Sequence, residues 1–413
     1  MTEKEYIQSL TDESVALLKE MIAVPSPSFS EDAVCTHICK WLTDKQINHE
    51  RTGNNIIAEH IIDPDRPTLM LCAHIDTVAP CEGYVFDPYM PDYEIAAKVI
   101  GDALGRPCRP DEIVAGLGSN DDGASAVAMI AAYRYFCSIR PFRGRGHGMH
   151  DNPSHSVVVG PSPCGQGGST VMHTMTPAPE CNLTLVLTCE EERSGKDGMT
   201  LLWPMRLNRI DYAIVGEPTG MKAATSERGL LVIDATAHGI SGHAARNEGK
   251  NALYIALEDI EKIRNHKFSK VSPRMGEVNI NVTQINAGTA HNVIPDRCDF
   301  VIDIRPTEQY TNEEILQELQ GICQSELRPR NLSNRSSATA EGSPLQKAAQ
   351  SLGIGTFSSP TTSDWMRITC DAVKMGPGDS SRSHRRNEFI LVSEIRNAIE
   401  AYIDYINNIY IMP

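Results

Sequence analysis

Four short apolar runs in the first half of the chain each end in acidic or histidine residues. They are 68–73 (TLMLCA) before His74, 183–188 (LTLVLT) before three glutamates, 211–215 (DYAIV) before Gly216 and Glu217, and a weaker run near 54–57. Short apolar runs of this kind read as parallel strands buried on both faces of an α/β sheet. Between them the apolar spacing changes to a helical period. Residues 3–21 place Ile7, Leu10, Val15, Leu17, Leu18 and Met21 on one stripe, and 124–136 (ASAVAMIAAYRYF) follow a glycine-rich turn. Open parallel sheets bind ligands at the carboxyl ends of their strands, which is where the polar residues fall here.

From about residue 227 the pattern becomes strict alternation with no acidic strand ends. Residues 230–237, 277–284 and 297–304 alternate, while 251–266 and 311–327 are helical and amphipathic. The order β-α-β-β-α-β predicts a small ferredoxin-like α+β domain inserted into the first. The expected organisation is an α/β domain over 1–224 and 336–413, with a central, mostly parallel sheet flanked by helices. A small inserted domain is expected over 225–335. The sheet domain resumes near Gly342, contains a polar turn at 375–384 (MGPGDSSRSH), and closes with a helix over 392–409. One stretch, 138–181, carries seven Gly, six Pro and five Ser in 44 residues and reads as a flexible surface insertion. Its histidines, His147, His150, His155 and His173, are irregularly spaced, so no second metal site is expected there.

Composition narrows the function classes. The 413 residues carry a formal net charge of -15, with no basic footprint for nucleic acid. No apolar run approaches the roughly 20 residues that span a bilayer, and the first ten residues lack the features of a signal peptide. The 12 cysteines are scattered and form no CxxC pair, so they read as reduced thiols, several of them buried. A cytoplasmic protein is expected, without nucleic-acid or membrane partners.

The candidate chemistry lies at the strand ends. His74 and Asp76, two apart on an extended chain, share a side, and metal-bound His commonly passes its second N–H to such a carboxylate. Gly116–Gly123 (GLGSNDDG) presents Asp121 and Asp122 just before a helix. Glu190, Glu191 and Glu192 end a buried strand, where adjacent like charges are costly unless cations offset them. Glu217 ends another strand, and His384 sits in the late polar turn. Two histidines and three carboxylates from separate segments match a site for two divalent metals about 3.5 to 4 Å apart, one carboxylate bridging. Nitrogen and oxygen donors without thiolate suit Zn²⁺, with Co²⁺ or Mn²⁺ as substitutes.

The order His-x-Asp, Gly-x-Gly-x-x-Asp, Glu-Glu, Gly-Glu-Pro-Thr, Ser-Gly-His, Asn-Val-Ile-Pro and a late His resembles the di-zinc family of aminoacylases, acetylornithine deacetylases and succinyl-diaminopimelate desuccinylases. The stretches GLGSND, VGEPTGM, SGHAARNEGKNA, QINAGTAHNVIPDRCDFVIDIR and KMGPGDSSRSH look most like its acetylornithine (acetylcitrulline) deacetylase branch. The likeness covers most of the chain, fails over 138–181 and is weak from about 93 to 112. It implies that the domain over 1–224 and 336–413 is catalytic and that the one inserted over 225–335 is a dimerisation or lid domain. It also implies His74 and Glu217 as terminal ligands of one metal, Asp121 as bridge, and Glu192 with His384 on the second metal. Asp122 is the alternative bridge. Asp76 would support His74, and Glu191 would be the general base. His243 would stabilise the oxyanion, often from across a homodimer formed through the inserted domain, while Asn292 and Arg305 would close over the substrate and hold its carboxylate. The implied reaction removes an acetyl, or a succinyl, group from an N-acyl amino acid such as N-acetylornithine or N-acetylcitrulline in arginine biosynthesis. A dipeptidase or tripeptidase of the same family is the alternative, and a non-catalytic metal-binding protein a third reading.

Overall fold

The computed structural model describes residues 2–139, 181–246 and 248–409. The glycine- and proline-rich insertion anticipated at 138–181, with its four histidines, lies almost wholly outside the described residues. The chain divides into two compact units. One comprises Met1–Ala224, Thr339–Phe357 and Cys370–Pro413, and the other Thr225–Ala338 with Ser358–Thr369.

In the first unit the strands Asn182–Thr188, Thr68–His74, Tyr212–Val215 and Asp371–Lys374 lie side by side and parallel. Their alternate residues have no solvent face, since Leu69, Leu71, Leu183, Val186, Ala213 and Val373 are all fully buried. Each buried Leu or Val of this kind contributes about 1.5 to 3 kcal/mol relative to exposure, and the layer fixes the register that delivers the strand ends together. The helices Glu3–Ile22, Gly123–Ile139 and Val392–Asn407 pack in the same hydrophobic core. The first is closed by a reciprocal cap between Thr2 and Glu5. The run near 54–57 departs from the expectation of a parallel strand. It belongs to Asn55–His60, which lies antiparallel to Asn182–Thr188, since the short link 61–67 to Thr68–His74 leaves no room for the crossover that a strand of the same direction would need.

The second unit holds the strands Leu231–His238, Asn279–Ala287, Arg297–Arg305 and Glu326–Pro329 in one antiparallel sheet. Counted in chain order they lie as 2-3-1-4, and the helices Ala252–Asn265 and Asn312–Ile322 share their core. This is the β-α-β-β-α-β arrangement, and the alternation of buried and half-buried residues along Leu231–His238 explains the period of two in the sequence. A short excursion, Ser358–Thr369, also clusters with this unit, a return the local pattern does not signal.

Candidate metal centre

The chain's acidic and histidine residues meet at the carboxyl ends of the parallel strands of the first unit. His74 closes the strand Thr68–His74 and is 3% exposed. Its Nδ1 lies 3.0 Å from the main-chain carbonyl of Asp76 and 3.4 Å from Asp76 Oδ1, which leaves Nε2 facing Asp121 Oδ1 at 3.3 Å. The Asp76 carboxylate does more than support the ring. It accepts hydrogen bonds from the hydroxyl of Ser28 and from the backbone N–H groups of Glu191 and Glu192, at 2.7, 3.0 and 3.2 Å. One buried carboxylate thus orients both the imidazole and the acidic turn beside it.

The three consecutive glutamates diverge. Glu190 sits at φ 60° and turns its buried carboxylate back to accept from Asp197 N, so it does not join the cluster. Glu192 meets His384 Nε2 at 2.9 Å. Oxygen atoms of Glu191 and Glu217 come within 4.8 Å of a nitrogen of His74 and of each other, as do those of Asp121 and Glu192 with His74. Asp121 stands between the two imidazoles, with Oδ1 toward His74 and Oδ2 3.7 Å from His384 Nε2. Its neighbour Asp122 points away: a Cβ placed on Gly216 would lie 2.8 Å from Asp122 Oδ2, and neither Asp122 oxygen has a hydrogen-bond partner among the described residues. Gly118 makes this turn feasible, because it adopts φ 79° and a Cβ there would lie 2.7 Å from Thr77 Cγ2.

The electrostatics are those of a cation site. Burial and the negative charge of Asp121 push the Glu217 carboxyl well above its ordinary range, against the opposing charges of Lys374 and His74. Burial disfavours charge on His74 and on Asp121, yet their mutual hydrogen bond overrides it, raising the imidazole well above its usual value and lowering the carboxyl. The hydrogen bond to Glu192 lifts His384 to about 9 against partial burial. Crowded carboxylates, imidazole nitrogens and no thiolate in the two ligand groups fit divalent cations bound through nitrogen and oxygen.

Several residues that build the site carry no motif. Glu388 is 2% exposed and accepts from the backbone N–H groups of Asn120 and Asp121, both at 2.9 Å, which holds the Asp121 turn in place. Burial, with the charge of Asp121 beside it, pushes Glu388 up to about 8. An acidic residue directly before the apolar run Phe389–Leu391 is the one signal the sequence offers. Glu31 and Asn55 brace the glutamate turn in the same way, receiving Glu190 N and Cys189 N. Replacing Glu388 with Ala strips two backbone donors of their acceptor and frees the turn, so metal affinity measured by competitive chelator titration is expected to fall about 10- to 100-fold. Wild-type affinity in this variant would show that Glu388 does not position Asp121.

The other sequence-predicted residues lie in the second unit. His243 pairs across a two-residue bridge with Val293, and Ala244 N donates to the carbonyl of Asn292, so His243 and Asn292 are neighbours. Arg305 has its guanidinium engaged by Asp303, at 2.9 and 3.2 Å. Among the described residues no helix is long and apolar enough to cross a membrane, and every cysteine is a free thiol.

Comparison with known proteins places this geometry. Residues 225–331 match the peptidase dimerisation domain M20_dimer. The chain is 28% identical over 239 residues to an acetylornithine deacetylase of Myxococcus xanthus, covering 52% of this chain and 61% of that protein. It is 32% identical over 152 residues to a succinyl-diaminopimelate desuccinylase of Paracoccus denitrificans, covering 34% of this chain and 40% of that one. The aligned part therefore spans 61% and 40% of these two relatives. Among solved structures, the YXEP protein of Bacillus subtilis, described as a dinuclear metal binding peptidase from the M20 family, superimposes with a TM-score of 0.63. That match has 15% identity and covers 97% of this chain and 98% of the other. The fold is that of the M20 metallopeptidases, an α/β unit with an inserted dimerisation domain. In sequence the chain is similar, over part of its length, to acetylornithine deacetylases and succinyl-diaminopimelate desuccinylases, and its second unit matches the dimerisation domain of M20 peptidases.

Proposed function

We propose that the protein is a metal-dependent amidohydrolase that removes the acyl group from an N-acyl amino acid, with N-acetylornithine or N-acetylcitrulline in arginine biosynthesis as first candidates. The observation that carries this reading is Asp121, whose two oxygens face His74 and His384 separately while Glu191, Glu192 and Glu217 gather around them. In this reading His74, Glu217 and Asp121 hold one divalent cation, and Glu192, His384 and Asp121 hold the other, with zinc favoured and cobalt or manganese as substitutes. When bound, such a pair supplies Lewis acidity, acidifying a water and polarising the scissile carbonyl.

The chain's own residues do the rest. Glu191 accepts a proton from the attacking water and returns it to the leaving amine nitrogen, a role suited to a carboxylate whose backbone is pinned by Asp76. Asp76 holds the His74 ring in one orientation through the whole cycle. In the second unit, the reading assigns His243 to the oxyanion and Asn292 and Arg305 to the substrate carboxylate, with a homodimer formed through that unit. The free thiols agree with a cytoplasmic setting.

A peptidase reading uses the same groups and draws support from the M20 peptidase fold. Hydrolysis of N-acetyl-ornithine, N-acetyl-citrulline and N-succinyl-ornithine against a few dipeptides, by chelated protein with and without added Zn²⁺ or Co²⁺, tests both. Metal-restored release of free amino acid from an acylated substrate is the expected result. Cleavage of dipeptides alone would replace the deacylase reading with the peptidase one, and inactivity with both metals bound would overturn it.

A further inference from the structure

A cavity of about 550 Å³ lies in the first unit beside the candidate metal centre, with His384 on its wall. One side is apolar, built from Val99, Ile100 and Ala103 of the helix Tyr93–Leu104 together with Phe389. The other side carries Arg385 and Arg386, which directly follow His384. That helix falls in the segment where the family resemblance is weak.

The arginines lining the cavity are not equivalent. Arg382 is already neutralised, its guanidinium gripped by Glu394 at 2.7 and 3.1 Å and stacked 4.4 Å over the Phe389 ring. Arg385 and Arg386 are exposed and make no ion pair among the described residues, in a chain whose net charge is -15. Their backbone is nonetheless clamped. Tyr84 donates its hydroxyl to the carbonyl of Arg385 at 3.1 Å, and Val85 N donates to the side chain of Asn387 at 2.8 Å. Gly83 lies so close beneath Arg386 that a Cβ there would be 3.2 Å from its Nη1. Two exposed guanidinium groups with no ion pair among the described residues, beside an apolar wall, suit a carboxylate on a short aliphatic stem.

We propose that this cavity selects substrates bearing a second carboxylate, distal to the scissile amide and additional to the α-carboxylate, with Arg385 and Arg386 binding that group and the Val99–Ile100–Ala103 wall covering its methylenes. This rests on the deacylase reading and moves its substrate from N-acetylornithine and N-acetylcitrulline, which carry no second carboxylate, to acid-terminated N-acyl amino acids. The acid can belong to the acyl group or to the amino-acid side chain, and the substrate pairs below tell these apart.

The test measures kcat/KM of the metal-loaded enzyme for N-succinyl-ornithine against N-acetyl-ornithine, and for N-acetyl-glutamate against N-acetyl-glutamine. The acid-terminated member of one pair is expected to be favoured at least tenfold, chiefly through KM. That ratio should collapse toward one in the Arg385→Gln/Arg386→Gln double variant and survive in part in the corresponding double Lys variant, which keeps the charge but loses the fork. A parallel calorimetric titration of the same metal-loaded proteins with glutarate is expected to show at least tenfold weaker binding in the double Gln variant. Absence of preference in both pairs, or a preference that survives the double Gln variant, overturns the inference while leaving a deacylase standing. If no acylated substrate is hydrolysed at all, the deacylase reading fails, and equal glutarate binding by the two proteins then removes the carboxylate receptor as well.

Discussion

Glu191→Gln is expected to lower kcat by about 10²- to 10⁴-fold while both metals stay bound. Gln matches Glu in shape, and the backbone N–H of residue 191 still donates to Asp76, so the turn that carries Glu192 keeps its place. What disappears is the group proposed to take a proton from water and return it to the amine. The geometry makes the metal measurement essential, because a Glu191 oxygen lies within 4.8 Å of ligand atoms of His74 and Glu217 and so is near enough to bind a cation itself. Turnover and metal content by elemental analysis are therefore read together. Lost turnover with full metal identifies the base. Lost turnover with lost metal makes Glu191 a ligand, and retained turnover removes it from the chemistry.

Asp121→Ala is expected to cost at least one equivalent of metal per chain and more than about 100-fold in activity, since even the partners that merely orient ligands are typically worth 10- to 100-fold. Asp121 is the side chain whose two oxygens address both imidazoles, so its removal takes a donor from each half of the site at once. The metal-free protein should tolerate the change, because the charge of Asp121 is among the burdens on the buried Glu217 carboxyl. The expected signature is thus a thermal midpoint close to wild type without metal, together with loss of the upward shift that zinc is expected to give the wild-type protein. Two equivalents still bound, with the same shift, would exclude Asp121 as the bridge and return attention to Asp122.

Much of the first unit is legible along the chain. The apolar runs before His74, the three glutamates and Glu217 are buried strands because a parallel sheet covered on both faces permits no polar alternation, so the polar residue that ends each run marks a strand end. The direction of Asn55–His60 is not carried by its hydrophobicity, because the short link 61–67 to the next strand decides it. The division of labour among Glu190, Glu191 and Glu192 is equally silent. Three identical side chains in a row are separated by a left-handed residue and a short turn, whose hydrogen bonds come from Glu31, Asn55 and Asp76, each more than 100 positions away in the chain.

The sequence by itself determined the two-unit α/β organisation, the strand ends at which chemistry collects, and the donor types suited to divalent cations, because periodicity and residue chemistry are local properties. Only the tertiary structure decided which carboxylate of the Asp121–Asp122 pair faces the histidines, which glutamates converge, that a motifless Glu388 holds the turn, and that Arg385 and Arg386 line a cavity beside His384 with no ion pair among the described residues. Those outcomes depend on backbone direction and on partners far apart in the chain, and packing sets both only when the strands are brought into register.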